Sequence, residues 1–398
     1  MTDLFRPLDL PCGAQLKNRI AKAAMSDSLG DGRGNPTDAQ ARLYERWAQG
    51  GAALSIVGEV QGDPKAAEKP GNLVLGPASD LKQLRALTSR GTAEGTHLWA
   101  QLGHAGAMAH PPLSAPSAPK GPSALSLPGL QVEAMSLAQV QAIPDQIAHT
   151  AAMARQVGFT GVEVHAAHGF LLSQFLSPLF NQRSDIYGGT IANRMRLLLE
   201  TLEAVRAALG PSFPMALKLN ATDQLEGGLM EDEALEVVRA LDQSSVDLID
   251  ISGGTYFPGA KSASDSASSG PYFLDFARRS RSITTKPLMA TGGFKSYGMA
   301  SDAVVSGAVD MVGVARPLVL DPQLPNHWRA GENHEPNFPR FTDPQEGAVT
   351  AWYTMRLTDM AQDRESKDAY GSLDANAALQ NYNDRDRGKT KRWRAHFG

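Results

Sequence analysis

"PLMATGGFKSYGMASDAVVSGAVDMVGVARP", residues 287–317, is the stretch whose reading decides the fold. Its first part, "PLMATGG", is a short apolar run closed by glycines. Its middle, "SYGMASDAVVSG", carries apolar residues at helical spacing and ends on Gly307. Its last part, "MVGVARP", is a second apolar run. Strands that are almost continuously apolar are buried on both faces, which is the mark of parallel sheet, and parallel neighbours need a crossover helix between them. The stretch therefore reads as strand, helix, strand.

The same unit recurs along the chain. "RIAKAAM" (19–25), "LSIVGEV" (54–60), "THLWAQL" (96–102), "GVEVHA" (161–166), "PMALKLN" (214–220) and "LIDISGG" (248–254) are six further strand runs. Between them lie "DAQARLYERWAQG", which ends on glycine, and "SLAQVQAIPDQIAHTAAMARQVG", where Pro144 predicts a kink or a restart. "ANRMRLLLETLEAVRAALG" and "MEDEALEVVRALDQSS" follow. Eight strand-helix units predict an α/β fold of the closed (β/α)8 TIM-barrel kind rather than an open sheet. We assign residues 1–335 to the barrel. Residues 336–398, polar and mixed in charge, are expected to form a C-terminal helical extension packed on the barrel or on a partner subunit. Two excursions, the Pro/Ala/Ser/Gly-rich 103–135 after strand three and "GAKSASDSASSG" (259–270) after strand six, should overhang the C-terminal ends of the strands and shape a pocket there.

Composition narrows the function. The 398 residues carry a net charge of −4 with 20% charged residues, which argues against a nucleic-acid surface. No apolar run is long enough to span a bilayer and the first residues lack a signal-peptide pattern, so a cytoplasmic protein is expected. The lone Cys12 excludes an internal disulfide, a cysteine-ligated iron–sulfur cluster and a cysteine-based zinc site.

Working residues of such a barrel sit at the C-terminal strand ends. Those positions here hold Met25 and Ser26, Gly58 and Glu59, Gln101, His165 and His168, Lys218, Ser252 to Gly254, Gly292 and Gly293, and Arg316. The glycines and Arg316, after strands seven and eight, read as a phosphate site: bare backbone N–H groups approach an anion and a guanidinium clamps it. Lys218 lies inside "ALKLN", and a buried ammonium needs an anion or an electron-rich ligand. The His165/His168 pair has three readings. A metal would need further ligands, and only Glu163 is near enough in sequence, so no metal is assigned. Packing is the second reading, and a pair of ring N–H donors on one substrate oxygen is the third. "GDGRGN" (30–35) opens no helix and is read as a loop, not a dinucleotide fingerprint.

The segment "HAAHGFLLSQFLSPLFNQRSDIYGG", continuing "TIANRMRLLLE", resembles the old yellow enzyme family of FMN-dependent oxidoreductases. Supporting stretches are "NRIAKAAMS", "RWAQGGAALSIVGEV", "AQLGHAG", "LKLNATD", "DISGGTY" and "ATGGF" with "VGVARPLVLDP", so the likeness spans about residues 3 to 325. The resemblance implies an FMN-binding barrel reduced by NADH or NADPH. It places the backbone of Ala24, Met25 and Ser26 beside the flavin ring, with Glu59 nearby, and Gln101 at its pyrimidine edge. Lys218 falls near the flavin N1–C2 carbonyl, and Gly292, Gly293, Ala315 and Arg316 fall at the FMN phosphate. His165 and His168 would hold a substrate oxygen, with Phe170 and Tyr256 lining the substrate space. The implied cycle is ping-pong: NAD(P)H reduces the flavin from the substrate's own site, then a small activated alkene (an enone, an enal or similar) takes hydride. The expected partners are small molecules, with no nucleic acid and no membrane, and a homodimer is favoured over a monomer.

Three positions depart from the family pattern. Phe170 stands where relatives carry the tyrosine that donates a proton, which leaves Tyr256, Tyr187 or solvent as the source. Ser26 stands where relatives often have cysteine or threonine, and Glu59 where they have a small or neutral residue. Three alternatives stay open on the sequence. One is a flavin-dependent dehydrogenase, desaturase or demethylase on the same site. The others are a flavin-free barrel that binds a sugar phosphate and a non-catalytic flavin-binding protein.

Overall fold

The computed structural model describes residues 3–109, 118–127, 130–257, 270–332, 334–365 and 374–398. The barrel strands are β1 (Ile20–Met25), β2 (Leu54–Gln61), β3 (His97–Leu102) and β4 (Gly161–Ala166), then β5 (Met215–Asn220), β6 (Leu248–Ser252), β7 (Leu288–Thr291) and β8 (Met311–Val314). Every neighbouring pair is parallel, and β1 pairs with both β2 and β8, so the ring closes. All the strands expected from the apolar runs are present.

The surrounding helices are α1 (Asp38–Gln49), α2 (Leu81–Gly91), α3 (Leu137–Gln156), α4 (Arg196–Leu209), α5 (Glu231–Asp242), α6 (Leu274–Arg281), α7 (Tyr297–Val305) and α8 (Arg316–Leu320). After the barrel come α9 (Leu324–Arg329), α10 (Ala348–Ala361) and α11 (Ala375–Phe397). Local chemistry sets the starts. Thr37 and Ser296 accept the N–H of Gln40 and Met299, and Ser136 with Gln139 forms a reciprocal capping box.

Two expectations need correction. α3 does not restart at Pro144 but runs through it as one helix. The ring removes a single backbone donor, and the buried stripe Val140, Ile143, Ile147, Ala151, Ala154 holds the turns on either side against the barrel. Conversely, the segment predicted as one helix over 192–210 is split at Met195, between Ile191–Arg194 and α4. α2 and α6 went unnoticed in the sequence.

Inside the barrel the side chains change character with height. Trp99, Ala216, Leu248 and Met289 form an apolar floor, joined by Leu54 and Ile56 and closed by Leu8, Leu10 and Leu16. These last three flank the hairpin that pairs Leu8–Asp9 with Gln15–Leu16. Strand side chains alternate, so the next inward position is two residues on. From the same four residues that step reaches Gln101, Lys218, Asp250 and Thr291, and from Gly161 it reaches Glu163. One period of the strand turns a dry floor into a polar layer. The outward residues, such as Val162, Val164, Leu217, Leu219, Ile249 and Ile251, pack against the helices.

The excursion after β3 is more ordered than a linker. Lys120–Gly121, Leu125–Leu127 and Leu130–Ala134 form a small three-stranded sheet. Residues 110–117 and 128–129, and 259–269 of the second excursion, lie outside the described residues. The extension lies against the barrel. Arg42 and Arg46 of α1 donate to the carbonyls of Ala361 and Met360, both at 2.8 Å. Lys389 of α11 donates to the Ser28 carbonyl, and Trp393 packs with Ala67 and Val74. No described helix is long and apolar enough to cross a membrane.

Lys218→Met should cost about 3–5 kcal/mol of stability, because it leaves two buried carboxyl groups without their cation. Urea unfolding measures this directly. A midpoint equal to that of the parent would show that the layer does not depend on the ammonium.

Candidate functional site

The polar layer is a connected network. Gln101 Nε2 donates to Glu163 Oε1 at 2.7 Å, following the β3–β4 register that pairs these two residues. Lys218 is paired with Asp250 across β5 and β6, bonds to its carboxylate and lies 3.6 Å from Glu163 Oε1. Thr291 Oγ1 donates to the other Asp250 oxygen at 2.7 Å. Burial pushes the Glu163 carboxyl up to about 8; Lys218 opposes that shift and Asp250 adds to it. Burial also works against the Lys218 ammonium, yet Asp250 and Glu163 together hold its pKa above the ordinary value. Near neutral pH the layer thus holds a charged lysine and a neutral glutamic acid. Glu163 Oε2 is buried without a protein partner.

One further inward step along β4, β5 and β6 reaches His165, Asn220 and Ser252. Asn220 Oδ1 accepts the His168 backbone N–H at 3.0 Å, and His168 Nε2 lies 2.8 Å from Ser252 Oγ. His168 has φ 61, and Gly169 follows at φ 80. A Cβ on Gly169 would come within 2.1 Å of Thr255 Oγ1, so only glycine lets the turn press against the loop after β6. The two imidazoles sit with centroids 5.2 Å apart. Phe170 stands 4.9 Å from the His165 ring, and Tyr256 is 5.9 Å from His168 and 6.0 Å from Phe170. Burial first, then each other and Lys218, drives His165 well below its usual pKa. Burial and Lys218 bring His168 down to about 3. Both rings are therefore neutral and offer N–H donors rather than charge. Ala167 N–H donates to His165 Nδ1 at 3.4 Å, which leaves the proton on Nε2.

Beside this cluster lies a cavity of about 760 Å³, within the range of small-molecule sites. Gly292, Gly293, Ala315 and Arg316 line one part of it and Tyr256 another. Gly293 has φ +85, and a Cβ there would meet the Gly270 carbonyl oxygen at 2.4 Å. Only glycine therefore lets this turn pack against the Gly270–Pro271 backbone. The Arg316 guanidinium lies 4.9 Å over the Tyr353 ring, contributed by the extension. The histidine pair and the polar layer are outside the cavity's walls; Tyr256 joins the two regions. At the end of β1, Ala24, Met25 and Ser26 are half-buried, and Ser26 Oγ lacks a protein partner. Two orphaned buried oxygens, the glycines after β7 and an arginine are a set of polar groups that fits a flavin mononucleotide.

Glu59 has φ 60 and its carboxyl accepts from Asn72 Nδ2 at 2.8 Å. Burial and the neighbouring Glu68 raise its pKa well above the ordinary range. Its protein contacts thus lie in the loop after β2. Tyr187 donates to Glu200 of α4 at 2.9 Å and makes no ring contact with the histidines. Ser252 is one of the strand-end positions read from the sequence, whereas Asp250 and Asn220 are site residues that reading missed. Asp250 carried the same signal as Lys218, a charge inside an apolar run.

Known proteins match this chain along most of its length. The family model described as NADH:flavin oxidoreductase / NADH oxidase family matches residues 3–335. An NADH-dependent flavin oxidoreductase, iliE, of Neonectria sp. (strain DH2) is 34% identical over 368 residues, 82% of this chain and 47% of that protein. The chain thus spans about half the length of that relative. Its counterpart in Hypocrea jecorina (strain QM6a) is 34% identical over 351 residues, 80% of this chain and 87% of that protein. Among solved structures, morphinone reductase superposes with a TM-score of 0.72 at 25% identity, covering 85% of this chain and 92% of that one.

Glu163 binds its proton more tightly in the folded chain than in the unfolded one. The stability this adds is complete below the ordinary carboxyl pKa of about 4.3. It is lost as pH rises through about 8. Urea midpoints at about pH 6 and pH 9 should therefore fall more steeply for the parent than for Glu163→Gln, whose amide does not titrate. Identical slopes would mean that Glu163 is already ionised in the folded protein.

Proposed function

The chain belongs to the NADH:flavin oxidoreductase / NADH oxidase family, of old yellow enzyme type, and on that premise we propose that it reduces the C=C bond of small activated alkenes with hydride from NADH or NADPH. The observation that carries this reading is the pair of neutral imidazoles, His165 and His168, walled by Phe170 and Tyr256, with His165 in register beside the buried Lys218. Ala24, Met25, Ser26, Gln101 and Lys218 would hold the FMN ring, and Gly292, Gly293, Ala315 and Arg316 its phosphate. Bound FMN supplies the hydride relay between nicotinamide and substrate.

The protein's part is to bind and polarise. His165, and His168 through the ring nitrogen that Ser252 leaves free, would donate to the carbonyl oxygen of an enone or enal, where negative charge grows as the β-carbon takes hydride. Donors fixed in advance at that point stabilise the enolate without reorganising. Because both rings start neutral, they bind an uncharged carbonyl and meet charge only as it develops. Lys218, pinned by Asp250 and Glu163, places a fixed positive charge beneath the same region. With no dinucleotide-binding motif in the chain, nicotinamide and alkene take turns in one space, which makes the cycle ping-pong.

The α-carbon then needs a proton that Phe170 lacks. Tyr256 is placed to give it. Tyr256 lines the cavity, and its ring lies 5.9 Å from that of His168 and 6.0 Å from that of Phe170. Enclosure, with Glu59 and Glu68 adding, pushes its hydroxyl up to about 12, so the phenol is protonated across the working range.

His165→Ala and His168→Ala should each weaken binding of a small phenol about tenfold or more. Alkene turnover should fall by roughly 10²–10³, with FMN content unchanged. In the same assay Tyr256→Phe should slow only the alkene half-reaction, by about 10²–10⁴, and leave reduction by nicotinamide intact. Parent-like ligand binding and turnover in both histidine variants would remove the clamp. A parent-like alkene step in Tyr256→Phe would move the proton source to solvent.

A further inference from the structure

On the outside of the barrel, away from the cavity, three side chains from separate stretches point their donor atoms at one spot. Asp321 lies in the turn between α8 and α9, His327 near the end of α9, and His334 beyond it. His327 Nδ1 is 2.9 Å and His334 Nε2 is 3.1 Å from the same oxygen, Asp321 Oδ2, and all three donor atoms lie within 4.8 Å of one another. The rings stand edge to face with centroids 4.9 Å apart. We propose that Asp321, His327 and His334 form a binding site for a divalent transition metal of the zinc type.

The geometry suits that ion. A tetrahedral zinc with bonds of about 2.0–2.1 Å keeps its donor atoms roughly 3.3 Å apart. The two separations from Asp321 Oδ2 are close to that, so a cation can replace the ring protons with little movement. Two imidazole nitrogens and one carboxylate oxygen are a borderline donor set, which selects zinc-like ions over calcium or magnesium, whose ligands are oxygens. Three protein ligands leave further positions to water.

The ligands are also held from behind. Asp321 Oδ1 accepts the Gln323 N–H at 2.9 Å, which orients the carboxylate and turns Oδ2 toward the rings. The His334 carbonyl accepts from the indole of the buried Trp328 at 3.0 Å, so residue 334 is fixed at its backbone as well as its ring. α9 itself is tied to the end of α1, with Asn326 N–H on the Gly50 carbonyl at 3.2 Å. Asp321 is largely covered, and His327 and His334 are 35% and 43% exposed, which leaves the ion a path from solvent.

The site has a structural consequence. Phe338 and Phe341, a few residues beyond His334, line the cavity, as does Tyr353 of α10. A metal joining His334 to Asp321 and His327 would fasten the start of this wall to the barrel. It would thus stabilise the extension without entering the chemistry.

The test uses the full-length, flavin-loaded chain, stripped with a chelator and titrated with zinc chloride against a chromophoric competitor at about pH 7.5. One zinc per chain is expected, saturating in the micromolar range, with a higher melting temperature that chelator reverses. His327→Ala and His334→Ala should each weaken uptake by at least about tenfold, and His149→Ala, at another exposed histidine, should leave it unchanged. Flavin absorbance and circular dichroism check the fold of each variant, and His334→Gln, at the more exposed ligand, carries the test if His327→Ala does not fold. No saturable uptake below about 1 mM, or uptake that both histidine variants leave intact, overturns the proposal: the three residues are then only a hydrogen-bonded cluster.

Discussion

The structure is organised around one buried cation. The Lys218 ammonium sits inside a closed barrel between Asp250 and Glu163, over a floor of tryptophan, leucine, methionine and alanine. An isolated charge in that position would be driven neutral. Instead the strand register brings two carboxyl groups and the Gln101 amide to it, and Thr291 satisfies the remaining Asp250 oxygen. The layer is costly to assemble and still more costly to break in part, since removing Lys218 or Asp250 would leave the other as a buried charge without its partner. That constraint explains why the interior changes from dry to polar within a single strand period.

What lies above the layer follows from it. His165 is paired with Lys218 in the β4–β5 register, and the positive charge reinforces burial in keeping both imidazoles neutral. A protonated pair would repel the ammonium and bind anions; a neutral pair polarises an uncharged oxygen. The loop after β6 then brings Tyr256 against His168, with Gly169 allowing the close approach. The glycines after β7 and the arginine that opens α8 line a separate cavity, with one wall supplied by the extension. In the proposed function, cofactor tuning, substrate polarisation and phosphate anchoring would come from successive heights and sides of one barrel.

Much of this was legible in the sequence for a physical reason. Strand periodicity is local, so "PLMATGG" and "MVGVARP" announce themselves, and a lysine inside "ALKLN" signals a buried partner without naming it. The partner was not legible, because the Lys218–Asp250 pairing depends on register between strands that are distant in the chain. Position alone did not settle Glu59 either: its left-handed backbone turns the carboxyl toward Asn72, a residue of the next loop. The small sheet at 120–134 is written in short fragments within a proline- and serine-rich segment, where contacts with the barrel outweigh composition. Pro144 is the opposite case, a strong local breaker overridden by the buried face of α3. The Asp321, His327 and His334 cluster was invisible as a motif, because a turn, a helix and a loop had to fold before the three met.

The central claim, that a neutral histidine clamp above a pinned cation reduces activated alkenes at a flavin, is tested most directly by anaerobic stopped-flow absorbance. The flavin-loaded chain is mixed with NADH or NADPH and then with a small enone. The account predicts bleaching of the flavin band by at least one nicotinamide, return of the band on adding the enone, and a saturated ketone as product. A flavin that neither nicotinamide bleaches, or a bleached flavin that only oxygen restores, would contradict it.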